Sequence, residues 1–171
     1  MKRLPLMAAF VTTLGIALAG CGYHVAGAAN LLPAEIHTIA ILPFGNGSMQ
    51  YKLSDYLAES VSRELIARTH YKVIADPAKA DAVLSGAVAN VFSTAIVSTA
   101  RNTGVQMVVL VQVKLIDNKG KVLFERPNVQ FNERYEMSVD PKQYFDESGA
   151  ALERLSHDVA RTIVSAIVEN F

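Results

Sequence analysis

Four histidines, His24, His37, His70 and His157, are the side chains most able to hold a metal or move a proton, yet no two stand at ligand spacing. His37 sits inside a β-branched run and reads as a packed or hydrogen-bonded strand histidine. His157 falls in a final apolar-periodic stretch and reads as a helix-surface residue. Asp146-Glu147, and Glu133 with Glu136, are acidic neighbours of the kind found on solvated faces, and no nucleophile motif accompanies them. Gly45-Asn46-Gly47-Ser48 follows an apolar run as a phosphate loop would, but the lysine that such a loop needs is missing, so it reads as a β-to-α connection. The pattern implies no enzyme, no cofactor and no metal site, and points to a binding or assembly protein.

One residue is set for a different chemistry. Cys21 is the only cysteine, and it follows Lys2-Arg3, an apolar run from Leu4 to Ala19, and the small residues Ala19-Gly20. A basic start, a short apolar core and a small-residue cleavage point make a bacterial export signal. Leu18-Ala19-Gly20-Cys21 further resembles the lipobox at which lipoprotein signals are cut, leaving an acylated cysteine as the first residue. One acyl chain binds a membrane only marginally, at about 0.8 kcal/mol per buried methylene, so several chains on one cysteine are needed for a durable tether. Gly22, rather than an aspartate, follows the cysteine, and the expectation by analogy is sorting to the outer membrane, on its periplasmic side.

The cut bounds the rest. Residues 1–20 are expected to be the signal peptide, 21–35 the lipidated N-terminus and tether, and 36–171 a single α+β domain, a length able to bury a real core. The full chain balances 16 basic against 16 acidic side chains; losing Lys2 and Arg3 leaves the remainder slightly acidic, which argues against nucleic acid as a partner. A lone cysteine allows no intrachain disulfide, so stability must come from packing.

The elements that would position any site follow from periodicity. Ile36 to Leu42 is apolar on both parities, as in a strand buried on both faces, and Pro43 ends it. Leu53, Leu57, Val61 and Leu65 predict an amphipathic helix from Tyr51 to Thr69, and a short strand follows from Tyr71 to Ala75. From Asp81 the period is two, in a strand running to about Ser98, where Gly86 marks a bulge or a close approach. Met107, Val109, Val111, Val113 and Leu115 face one way and Gln106, Gln112 and Lys114 the other, so one face is core and one partly wet. Asp117-Asn118-Lys119-Gly120 turns the chain back into a strand with Val122, Phe124, Val129, Phe131 and Tyr135 inward and Gln130, Asn132 and Arg134 outward. Pro127 implies an edge position or a bulge. Asp140-Pro141 predicts the start of a long last helix with the stripe Leu152, Leu155, Val159, Ile163 and Ile167, bent near Ser148-Gly149. Two helices and one apolar sheet face give a two-layer α+β sandwich, with about four strands in a mainly antiparallel or mixed sheet.

Those residues carry a resemblance. Cys21-Gly22-Tyr23-His24, Leu32-Pro33, Thr38 to Phe44, Ala80 to Gly86, Val113 to Asp117 and the final helix together resemble the LPS-assembly lipoprotein family LptE over nearly all of the chain after residue 20. The resemblance implies a small domain held at the inner leaflet of the outer membrane, seated in the β-barrel LptD, and helping lipopolysaccharide reach the cell surface. Arg101-Asn102-Thr103-Gly104 is similar to an Arg-Asn-Gly turn with which members contact lipopolysaccharide, with Thr103 inserted. Arg101 is thus the first ligand candidate. Lys119 and Lys121 in the opposite turn are the second, standing against a plain role as solubilising lysines; cations there would hold phosphates by charge-assisted bonds.

A second resemblance belongs to another class. Ile39 to Phe44 followed by Gly45-Asn46 is also similar to the start of the domain shared by lipoprotein activators of peptidoglycan synthases and curli-type secretion lipoproteins. An activator must cross the periplasm on a long linker, and only about a dozen residues separate Cys21 from the first strand. A pore-forming strand pair would not carry the polar, proline-interrupted hairpin from Gln106 to Glu136.

Overall fold

Residues 32–98, 102–140, 142 and 144–169 are described by the computed structural model. Along them run β1 (Thr38–Ile41), β2 (Gly45–Asn46), α1 (Tyr51–Arg68), β3 (Lys72–Ile74), a 3-10 turn (Pro77–Lys79), β4 (Ala82–Ser98), β5 (Asn102–Asp117), β6 (Val122–Ser138) and α2 (Ser148–Glu169). The strands form one mixed sheet in the order β3-β1-β4-β5-β6, with β2 beside β4 beyond the end of β1. β1 runs parallel to both β3 and β4, whereas β4, β5 and β6 are antiparallel. The α+β sandwich expected from the sequence is present, with six strands instead of about four. The additional pairing comes from short parallel pieces. β2 has two residues and lies in the glycine-rich stretch read as a loop, too short to show any period.

Both helices lie on the same side of the sheet. Leu53, Leu57, Val61 and Leu65 of α1 and Leu152, Leu155, Val159, Ile163 and Ile167 of α2 are buried, and they meet Met107, Val109, Val111, Val113 and Leu115 of β5 in one core. Burying each such aliphatic side chain contributes about 1.5–3 kcal/mol, which makes this shared layer the main source of stability. Where the helices touch, two small buried residues meet, Ser60 Oγ and Ser156 Oγ at 3.2 Å, and Ser156 also donates to the Glu153 carbonyl. Neither hydroxyl is left unpaired, so the close contact carries no unsatisfied group.

Gly86 is a close approach: a Cβ built there would stand 2.3 Å from Cε1 of the buried Phe44 ring. The register shifts of β4 fall elsewhere, between Val88 and Asn90 and between Ala95 and Val97. For Pro127 both expectations hold. β6 is the outermost strand, and Pro127 and Asn128 together oppose the stretch between Val111 and Val113, which is a bulge. A second shift, between Leu115 and Ile116, leaves Val122 exposed and puts Leu123 in the core, a correction to the inward place expected for Val122.

The last helix starts later than expected. Asp140 accepts from the Lys142 amide, so it caps a turn, but the helix begins only at Ser148, whose amide is bonded to Asp146 Oδ1 at 2.8 Å. The reason is tertiary: a helix is stabilised mainly by burying a stripe, and here the stripe begins at Ala151. Tyr144 and Phe145, exposed in the loop, have nothing to pack beneath a longer helix. Ser148 and Gly149, expected to bend the helix, start it.

Two substitutions test this packing. Val111→Asp places a charge in the middle of the core and should cost about 3 kcal/mol or more in a urea titration. Gly86→Ala should cost about 1–3 kcal/mol through the clash with Phe44, and Phe44→Leu in the same chain should return part of that loss. An unchanged unfolding midpoint for either single variant would contradict the core described.

Candidate functional site

The helices cover one face of the sheet and leave the other open. On β5 every second residue, from Gln106 through Val108, Leu110 and Gln112 to Lys114, is half-buried or exposed on that side. Register lines up its cross-strand rows: Thr94, Gln106 and Arg134; Phe92, Val108 and Asn132; Asn90, Leu110 and Gln130; Ser85, Lys114 and Glu125. The rows are hydrogen-bonding along most of the face. Gln130 Nε2 donates to Asn132 Oδ1 at 3.3 Å, Lys114 Nζ is 3.5 Å from Glu125 Oε1, and Ser85 Oγ donates to the Lys114 carbonyl. The outward set Gln130, Asn132 and Arg134 read from the sequence does line this face. Next to the Pro127 bulge lies a shallow depression of about 270 Å³ that takes in Ser85, Gln112, Lys114 and Glu125.

The distal end of the sheet is where β5 begins and β6 finishes. Asn102 is paired with Ser138 in the ladder, and the chain folds back there: the Ser138 amide donates to the Phe145 carbonyl, and Met137 bridges to Asp146. Arg101 itself lies outside the described residues. The loop after β6 adds a cation that sequence reasoning did not single out, Lys142, exposed beyond a turn pinned by Asp140. Only the register of β5 against β6 brings position 142 to the end where Asn102 stands, so no local pattern announces it. Exposed apolar side chains share this loop, Val139, Tyr144 (68% exposed) and Phe145, and two more lie along β4, Phe92 (52%) and Ile96 (45%). Beyond β2, β4 also has no described strand on its outer side, and the whole of Ala82–Ser98 is uncharged.

Lys119 and Lys121 stand at the proximal end. Their backbone amides both donate to Asp117 Oδ1 at 2.8 Å, and Gly120 takes the positive φ (84°) that the turn needs. Sixteen residues of β5, about 50 Å of strand, separate this turn from Asn102. The two lysines therefore cannot share one headgroup with a side chain at the Asn102 end. The proximal end is organised by Asp81. Its Oδ2 accepts from the His37 amide (3.0 Å), the Thr38 amide (2.8 Å) and Thr38 Oγ1 (2.7 Å), and its carbonyl accepts from the Asn118 amide. The Thr38 hydroxyl above all, helped by the His37 and Thr38 amides, holds the Asp81 carboxyl below its ordinary pKa. Leu32, buried, enters at this end beside Tyr71, whose phenol burial pushes upward in pKa. Cys21 lies outside the described residues.

The remaining reactive types are in structural positions. Glu133 and Glu136 point to opposite faces, the first 2.8 Å from Arg154 Nε on α2, the second beside Asn102. Glu147 accepts from the Glu136 amide and Asp146 caps α2. His37 and His70 line a small cavity of about 170 Å³ with Leu32, Ile36 and Tyr71. Among the described residues no group of three or more His, Cys, Asp or Glu is placed to hold a metal ion.

Residues 36–167 match the family model described as LptE, lipopolysaccharide-assembly. Solved structures share the fold at low identity. Lipoprotein B of Nitrosomonas europaea is 14% identical, with 86% of this chain and 90% of that one covered and a TM-score of 0.55. A minor lipoprotein of Acinetobacter baumannii is 14% identical, covering 79% and 94%, with a TM-score of 0.51. No curated protein matches the sequence.

Asp81 yields a test of the proximal end. A carboxyl held below its ordinary pKa by folding contributes stability above the unfolded value, and that contribution disappears as the pH falls through the folded value. Wild type should therefore lose melting temperature below about pH 4 more steeply than Asp81→Asn. The variant should be less stable at neutral pH, because an amide oxygen replaces the charged acceptor of three donors. Parallel pH profiles for the two proteins would contradict the assignment.

Proposed function

This chain belongs to the LptE family of lipopolysaccharide-assembly proteins, and from that premise we propose that it is a non-catalytic lipoprotein of the outer membrane that seats inside the barrel LptD and helps deliver lipopolysaccharide. Residues 1–20 are removed at export, Cys21 carries the acyl chains on the periplasmic side, and 36–171 is the working domain. The observation that carries the reading is the sheet face with no helix on it. Its rows of glutamine, asparagine, serine and charged residues can exchange hydrogen bonds with the polar lumen wall of an outer-membrane barrel. A closed barrel has no free strand edges, so side-chain complementarity of this kind must supply the contact.

The distal end supports the ligand part of the proposal. Lipopolysaccharide joins phosphates to acyl chains, and this end has Lys142 in one loop with exposed Val139, Tyr144 and Phe145, while Arg101 immediately precedes Asn102 in the sequence. Arginine fits phosphate bidentately. Lys119 and Lys121, about 50 Å away along β5, are left out of that headgroup contact.

Tagged protein purified from detergent-solubilised outer membranes should bring down a large β-barrel; recovery of a peptidoglycan synthase in its place would contradict the reading. Cys21→Ser should release the protein from membranes in cells lacking the barrel. Arg101→Glu should weaken lipopolysaccharide binding by roughly tenfold, the equivalent of about 1.4 kcal/mol, and more at low salt than at high. Equal affinities with melting curves unchanged would remove Arg101 from the site.

A further inference from the structure

The open edges of the sheet are not alike. An open edge offers unpaired backbone N–H and C=O groups to any passing strand, and proteins blunt it by shortening it, charging it or breaking it with proline. β3 has only the residues Lys72–Ile74 and begins on a lysine. β6 carries Glu125, Arg126, Glu133, Arg134 and Glu136 and is broken by Pro127. The outer edge of β4 beyond β2 has neither device, because Ala82–Ser98 is long and holds no charge and no proline.

The chain itself fills only the first part of that edge. β1 pairs with Ala82–Leu84 and β2 with Ala87–Val88. The Leu84 carbonyl accepts from the Leu42 amide and the Val88 carbonyl from the Gly47 amide, so the outward backbone groups there fall on even residues. One register shift, between Val88 and Asn90, passes the outward role to Val91, Ser93 and Ala95. The Val91 amide agrees: with no described strand beyond it, it donates to the side chain of its own neighbour, Asn90 Oδ1, at 2.8 Å. From Asn90 to Ala95 the pairing with β5 is regular, and the second shift comes only after it. Ser93 and Ala95 are small and exposed, which leaves room for a strand alongside. Exposed Phe92 and Ile96 lie along the run, and exposed Met49 and Tyr51 follow Gly47 where the chain leaves it, so an incoming strand has apolar side chains to cover.

We propose that Asn90–Ala95 takes up an extended, uncharged segment of the barrel partner by β-strand addition, continuing the column that β1 and β2 begin. Backbone groups select an extended chain, and the lack of charge on β4 selects an uncharged, β-forming one. The inference rests on the barrel reading and deepens it by naming which part of the partner pairs here. Strands of a closed wall already pair their backbone groups with one another, so the segment is one that leaves the wall and lies in the lumen. Wall and plug then meet through side chains on the bare sheet face, while the luminal segment pairs with its edge. A second copy would bring its own two-layer body to this edge, which a lumen filled by one plug excludes.

Hydrogen exchange resolved to single amides, on the free protein and on the complex copurified with the barrel, tests the pairing. The Ser93 and Ala95 amides should exchange roughly tenfold more slowly in the complex, and the Phe92 and Thr94 amides, which point at β5, should change far less. Ser93→Pro removes an amide that β5 does not use, so the fold should be kept while barrel recovery falls by about tenfold. Ser93→Lys combined with Ala95→Lys keeps every amide and should weaken recovery in the same way, which covers the case of a proline variant that melts early. Barrel recovery with unchanged exchange at 93 and 95, or full recovery by the folded variants, would overturn the strand addition and leave the plug reading standing. Protection of 93 and 95 in the free protein that rises with protein concentration would assign the edge to a second copy and also overturn it. If wild type recovers no barrel, the barrel reading falls and the strand addition with it.

Discussion

The strict alternation of β5 governs everything built around it. Its odd residues from Val105 to Leu115 are all buried, and its even residues are not, so only one face of the sheet can accept a helical layer. The apolar stripes of α1 and α2 have nowhere else to go, and both settle on that side. Because a strand's side chains have a period of two, a slip of one residue would reverse the whole arrangement, and the Asp117–Gly120 turn holds the register at one end. A two-layer domain made in this way necessarily presents a bare sheet face, and here that face is rich in hydrogen-bonding groups.

Length gives the domain its second property. The β4, β5 and β6 strands, 16 or 17 residues each, reach well beyond the short parallel strands beside them. The result has two ends of different chemistry. The proximal end is hydrogen-bonded through Asp81 and is where the buried Leu32 enters the fold. The distal end mixes exposed apolar side chains with Lys142. The two ends lie about 50 Å apart along β5, so no single headgroup can touch both.

Much of this was legible in the sequence where a signal repeated. Four leucines and valines at a spacing of four placed α1 within one residue of its observed end, and the alternation of β5 and the outward set of β6 located the open face. Single local signals served less well. Asp140 followed by Pro141 has the form of a helix cap, but an aspartate makes the same bond in a turn, and only the burial of Ala151 and Leu152 decides where α2 can begin. β2 was illegible because two residues paired at the edge of β4 carry no period. The opposite placement of Lys119 and Lys121 was legible from the hairpin, whereas the return of the chain that brings Lys142 to the Asn102 end was not. Such proximity is a property of pairing, and no window of sequence contains it.

In the proposed assembly the bare sheet face meets the wall of a barrel partner. A photo-crosslinking residue placed in living cells at Gln112 or Asn132 on that face, and at Glu59 or Arg161 on the solvent sides of the helices, tests it most directly. A dominant adduct of the size of a large outer-membrane barrel is expected from Gln112 and Asn132, with weaker adducts from the helix positions. Adducts confined to Glu59 and Arg161, with none from the sheet face in properly folded protein, would contradict it.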